Sequence, residues 1–115
     1  MMLITKAIRK KLLANNRNRD GDHVPVVKFF DPCGAATWLI TDMDEEDNDL
    51  LFGLCDLGHG FPELGYVRLS ELQSVRSHLN TGIERDMWFS TPVPISKWAE
   101  AARGAQRIVD PDHLV

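Results

Sequence analysis

ELGYVRLSEL, Glu63 to Leu72, changes from a period of two to a helical period within a few residues. From Gly65 to Leu69, Val67 and Leu69 point one way and Tyr66 and Arg68 the other, the pattern of a half-buried strand. Ser70 stands where a helix begins, with Gln73 three residues on. That spacing is a capping box, in which the hydroxyl accepts from a free backbone N–H and the amide reaches back. Leu72, Val75 and Leu79 share one helical face. Glu71 suits the positive end of the helix dipole, and Asn80-Thr81-Gly82 supplies the stop. IERDMWF, Ile83 to Phe89, comes next, and Met87-Trp88-Phe89 predicts a last short strand ended by Pro92 and Pro94.

Outward from this junction, Thr5 is placed to cap a first helix running to about Ala14. Ile4, Ile8 and Leu12 line one face with Leu13 beside them, while Lys6, Arg9, Lys10 and Lys11 fall on the others. Asn15 to Asp22 reads as a loop. Val26 to Phe30 reads as a strand stopped by Asp31-Pro32-Cys33-Gly34. Ala36 to Thr41 is a second strand with Trp38 and Ile40 on one side, Leu50 to Leu54 a third, and Leu64 to Leu69 a fourth after the Gly58-His59-Gly60 turn. Ser96 is placed to cap a last helix with Trp98, Ala101, Ala102 and Ala105 on one face; Gly104 weakens it and Pro111 ends it. The order α-β-β-β-β-α-β-α, with strands clustered rather than alternating with helices, predicts an α+β fold. It is a mainly antiparallel sheet of about five strands with three helices, packed mainly on one face. Residues 1–115 are expected to form one domain, with the residues after about 104 as a tail.

The chain has 115 residues and 43% hydrophobic content. A chain of this length buries roughly two thirds of its unfolded surface, enough for an independent core. No apolar run is long enough to span a bilayer. The amino-terminal charges interleave with apolar residues instead of preceding a continuous apolar core, so no signal peptide is read and a cytoplasmic location is expected. Cys33 and Cys55 are the two cysteines, expected to be reduced and to act as small buried hydrophobes. Net charge is −4, but its distribution says more than its total. Lys6, Arg9, Lys10, Lys11, Arg17 and Arg19 fall in the first 19 residues with no acid among them. Asp42, Asp44, Glu45, Glu46, Asp47 and Asp49 crowd into eight positions.

ELGYVRLSEL and IERDMWF, together with MLITKAIRKKL at Met2 to Leu12, VKFF at Val27 to Phe30, WLIT at Trp38 to Thr41 and LFGLC at Leu51 to Cys55, give the chain a family likeness. It resembles an uncharacterised bacterial domain-of-unknown-function family carried on plasmids, conjugative elements and phages. The resemblance covers almost the whole chain up to about Ala102. The extra acid after Thr41 and the longer tail depart from the family pattern. What the resemblance implies is a setting, a mobile-element protein in bacterial cytoplasm. It brings no reaction and no catalytic residues.

The acidic run carries the leading functional expectation. Six carboxylates this close repel one another, so the run is expected to be solvated and mobile unless a cation neutralises it. A calcium loop needs Gly at its sixth position and Glu at its twelfth; counted from Asp42 those are Asp47 and Gly53, and from Asp44 they are Asp49 and Cys55, so both frames fail. Two uses survive: mimicry of nucleic-acid phosphates in a partner's basic groove, or ion pairs that steer association. The basic first helix lacks aromatics for stacking, so direct nucleic-acid contact is not expected, and its charges are free to pair with the acidic run. Cys55 and His59 make a single pair, with Cys33 in a turn nearby in sequence, where a structural zinc site wants four ligands; Asp56, His23 or His78 would complete a set only by an accident of the fold. Glu84 and Asp86 are spaced to share a strand face, where a carboxylate pair performs acid–base work or binds metal, although an ERD triplet is also an ion-paired corner. Trp38 and Trp98 read as core; of Trp88 and Phe89 one is expected to face solvent as an interface anchor.

These readings point to a non-enzymatic mobile-element accessory. It would be an inhibitor of anti-CRISPR or anti-restriction type that binds a host defence protein through Asp42, Asp44, Glu45, Glu46, Asp47 and Asp49. A small metal-assisted nuclease or hydrolase using Glu84 and Asp86 is the alternative, and a nucleic-acid-associated regulator a further one. No cofactor, metal or membrane is called for, and a homo-oligomer is compatible with everything above.

Overall fold

Four strands in succession, each turning back on the last, build most of the sheet in a computed structural model that describes residues 2–111; Met1 and residues 112–115, the end of the expected tail, lie outside the described residues. Helix α1 (Lys6–Asn16) precedes β1 (Val27–Phe30), β2 (Thr37–Met43), β3 (Leu50–Asp56) and β4 (Glu63–Arg68); α2 (Leu69–Ser74), β5 (Glu84–Arg85) and α3 (Ile95–Ala105) follow. Every pairing is antiparallel and the order is β4-β3-β2-β1-β5. Among the described residues the fold is α+β with five strands and three helices in the expected order.

The helices do not share a face. Under α1 and α2 lies a first core of Phe29, Trp38, Ile40, Met43 and Leu51 packed on Leu3, Ile4, Leu12, Leu72 and Ile83. On the opposite face α3 lays Ile95, Trp98, Ala99 and Ala102 on Leu39 and Leu54. Two of the three helices lie on one face, and the expectation of packing mainly there did not foresee α3 because Leu39 and Leu54, the out-of-phase residues of β2 and β3, are as apolar as their neighbours. Strands buried on both sides read as continuous apolar runs. The buried stripe of α3 is Ile95, Trp98, Ala99 and Ala102, a full i, i+3, i+4, i+7 set; Ala105, expected on it, is exposed.

A bulge sets which acids face where. Ile40 opposes Gly53 and Asp42 opposes Phe52, leaving Thr41 as the additional residue of β2. The extra residue reverses the alternation, so Met43 returns to the first core and Asp42 turns to the α3 face. Gly53 permits it: a Cβ there would lie 2.8 Å from Ile40 Cα and run into the Leu39 carbonyl.

The helix starts differ from expectation in one consistent way. Thr5 caps α1 as read, its Oγ1 accepting from Ile8 N–H at 3.2 Å, and the helix runs on to Asn16. Ser70 and Ser96 are not caps. Each lies one turn-position inside its helix, behind Arg68 and Pro94. Each hydroxyl donates to a distant aspartate whose other oxygen accepts the same serine's N–H: Asp49 for Ser70, at 2.7 and 2.8 Å, and Asp22 for Ser96. The helix that begins at Leu69 is also shorter than its apolar spacing predicts. It ends at Ser74, Val75 is extended, and Leu79 is exposed. The fifth strand is Glu84–Arg85 and not Met87–Phe89, because Asp86 Oδ1 accepts from Trp88 N–H and bends the chain away from the sheet.

Candidate functional site

The β2–β3 connection is a knot of hydrogen bonds in place of the mobile loop expected from its charge. Asp42 Oδ2 accepts from the Asn16 amide at 2.9 Å and its Oδ1 from Thr41 Oγ1. Asn16 Oδ1 accepts from Glu45 N–H. Asp44 Oδ1 accepts from the N–H groups of Glu46 and Asp47 at 2.8 and 2.9 Å, folding the turn on itself. Asp47 Oδ1 accepts from Asp49 N–H. Asp49 then starts α2: its carbonyl takes Leu69 N–H and its carboxylate takes Ser70. The Ser70 hydroxyl and N–H, with Arg68 adding to them, hold the Asp49 carboxyl below the ordinary 3.8.

Cations meet this turn from two sides. Arg17 and Arg19, just past α1, reach Glu45 at 3.0 Å and Asp44 at 3.5 Å. Arg68, at the end of β4, reaches Asp47 at 3.0 Å and Asp49 at 3.7 Å. Six carboxylates thus meet three guanidiniums among the described residues, so the turn stays negative. Asp42, Asp44 and Asp49 are partly withdrawn into the fold, while Glu45, Glu46 and Asp47 stand exposed as its crest. The pairing expected of the basic first helix is made instead by Arg17 and Arg19, just past its end. What the sequence did not point to is Asn16, 7% exposed, which ties α1 to both Asp42 and Glu45.

Beside the knot a small cleft of about 150 Å³ opens on the α3 face, its walls including Arg19, His23, Asp42, Asp44, Phe52 and Tyr66. Phe52 and Tyr66 pack edge to face at 5.1 Å. His23 is held there by a 2.6 Å contact to the Asn18 carbonyl.

The other residues singled out from the sequence are not gathered into one site. Glu84 lines a depression with Leu69 and Leu72, whereas Asp86 lines another with Lys28 and Trp88. Asp86 is already engaged by Trp88 N–H and, at 3.9 Å, by Lys28. Among the described residues no group of three or more His, Cys, Asp and Glu is arranged to hold a metal ion. Both cysteines are free. Cys55 is half-buried, and burial pushes its thiol up to about 11. Cys33 is exposed, its Sγ 3.1 Å from Thr81 Oγ1, so it is not the buried hydrophobe expected. Trp38 and Trp98 are core, Phe89 packs on Trp98 at 6.0 Å, and Trp88 is 94% exposed. Asp56, considered from the sequence only as a completing metal ligand, is buried; it accepts from Gly58 N–H at 2.8 Å and from Ile108 N–H at 3.0 Å, so it ties the segment after α3 to the sheet. No helix among the described residues is long and apolar enough to cross a membrane.

No curated protein and no solved structure matches the chain. The likeness first visible in scattered motifs is carried by a family model that matches residues 3–109, and the chain belongs to that family, Protein of unknown function (DUF2958).

Proposed function

We propose that this protein is a non-enzymatic accessory of a bacterial mobile genetic element that inhibits a host defence protein by binding it in the cytoplasm. The contact surface in this reading is the acidic turn, narrowed from Asp42, Asp44, Glu45, Glu46, Asp47 and Asp49 to its crest of Glu45, Glu46 and Asp47. Asp42, Asp44 and Asp49 frame the crest and fix its shape. The observation that supports the reading is that a turn with more carboxylates than guanidiniums is held by its own hydrogen bonds. A charged surface that is already ordered loses little conformational entropy on binding, and its field steers a basic partner into register.

The test is the variant Glu45→Gln/Glu46→Gln/Asp47→Asn, in cells carrying a restriction or CRISPR system. Phage plating and capture of the purified effector are both measured. Loss of inhibition and capture with an unchanged melting temperature is expected. Unchanged inhibition and capture sinks the acidic-crest reading.

A further inference from the structure

We propose that the edge of β4 is a docking site for an extended, amino-terminally basic segment of a partner protein, which adds to the sheet as a sixth strand. The proposal rests on the binding reading above and deepens it by naming the mode of contact.

β4 is an outer strand of the sheet, and an outer strand presents unpaired N–H and C=O groups. Proteins blunt such edges with short strands, prolines, bulges or lysines. The opposite edge is blunted in this way, since β5 has only two residues. β4 has six, with no proline and no lysine, and pairs with β3 from Glu63 to Arg68 without a register shift. Its only charges sit at its two ends. The interior, Leu64-Gly65-Tyr66-Val67, is uncharged.

The side chains beside this edge are apolar and open. Tyr66 and Leu64 pair with Phe52 and Leu54 and so face the α3 side; Tyr66 is 67% exposed, Leu64 41% and nearby Phe61 76%. Phe61 and Leu64 line a depression that reaches Arg103 and Gln106 at the end of α3. Alternate residues of an added strand would lie against this strip.

Charge selects the occupant. At the carboxyl end of β4, Arg68 is shared by Asp47 and Asp49, and Glu71 follows in the first turn of α2. Three carboxylates flank one guanidinium there. An antiparallel segment brings its amino end to that place, and basic side chains at that end complement it.

The probe is a blocked peptide of alternating valine and threonine, as long as β4, with two lysines at its amino end. Binding is read by fluorescence anisotropy and by hydrogen exchange of the β4 amides. Saturable binding with slowed exchange confined to β4 is expected. The same peptide N-methylated at alternate residues, which keeps its side chains but loses one ladder, should not bind. Replacing the lysines with glutamates should weaken binding about tenfold at low salt. Tyr66→Ala, at an exposed position, should weaken it about threefold.

Unslowed β4 exchange at saturating peptide, or equal binding of the N-methylated peptide, overturns strand addition. Equal binding of the glutamate peptide overturns the choice of a basic occupant. Exchange that slows with protein concentration alone assigns the edge to a second copy and overturns the partner proposal. If any of these arises while the crest variant still abolishes inhibition, the docking mode fails and the binding function stands.

Discussion

The two faces of the sheet are covered unequally. On the first, side chains of α1, α2 and the segments flanking them close over Phe29, Trp38, Ile40, Met43 and Leu51. On the second, α3 covers Leu39 and Leu54 with only the half-buried Phe89, Val93 and Ile108 of its flanking segments added, and two of the helix's four buried contact residues are alanines. Alanines let the helix approach closely but reach nothing to either side, so Leu64 and Tyr66 stay uncovered along β4. The second face also leaves the Trp98 indole N–H buried with no partner among the described residues, which is a cost to stability. Stability therefore concentrates on the first face. The rim of the second holds the polar cleft and the open edge.

The sharpest way to break this asymmetry is a pair of truncations. Phe29→Ala, in the first core, should cost about 4 kcal/mol, read by urea denaturation. Leu39→Ala, in the second, should cost about 2 to 3 kcal/mol, because the surroundings of a small core collapse more easily. Equal losses would show that the sheet distributes its stability evenly. Gly53→Ala tests the layer that both faces share. Its Cβ runs into the backbone of β2 at the bulge, where no rotamer change relieves the overlap. A loss of about 2 kcal/mol or more is expected. A loss confined to the cost of an ordinary strand substitution would mean that the bulge relaxes and that Met43 and Asp42 keep their faces without Gly53.

The same asymmetry explains what was legible in the sequence. The periodicity of Ile4, Ile8 and Leu12, the Thr5 cap and the alternation of Trp38 and Ile40 are local signals, and each led to the right element. The Ser70 and Ser96 caps failed because a local motif was outcompeted by a distant carboxylate, which only the assembled sheet brings near. Val75 and Leu79 had helical spacing but no core to pack against, and spacing without burial does not hold a helix. Met87-Trp88-Phe89 looked like a strand by composition, yet one hydrogen bond from Trp88 N–H to Asp86 turned it into a bend. For the acidic run, charge counting gave its place in the chain and pointed to the amino-terminal bases, but not to Arg68. Its order depended on Asn16 and on Asx turns that follow from geometry, which composition does not carry.

Helix initiation offers a smaller test. Asp22 and Asp49 perform the same task for α3 and α2, one helix on each face. The hydroxyl and N–H of Ser96 hold the Asp22 carboxyl below the ordinary 3.8, as Ser70 does for Asp49. Carboxyls depressed in the folded state contribute stability that is fully present above the unfolded value. That contribution is lost as pH falls through the folded value. Melting temperature should accordingly fall below about pH 4, and Asp22→Asn should remove part of that slope. Asp22→Ala should cost about 1 kcal/mol near neutral pH, in line with loss of a helix cap. If the acid slope is unchanged in Asp22→Asn, α3 does not depend on that carboxylate.

The smallest expected effect on stability is also the most informative about function. Glu45→Gln/Glu46→Gln/Asp47→Asn removes the exposed crest and breaks the Arg17–Glu45 and Arg68–Asp47 pairs, both well exposed to solvent. Exposed pairs of this kind contribute little, because screening and side-chain entropy offset the attraction. The framing bonds of Asp42, Asp44 and Asp49 are untouched. The unfolding free energy should therefore stay within about 0.5 kcal/mol of the parent, measured by urea denaturation at moderate salt. The result has force in both directions. A neutral variant that loses partner capture places binding on the crest. A variant that loses more than about 1 kcal/mol instead assigns the crest to the fold, and with it moves the search for a contact surface to the uncovered rim of the second face.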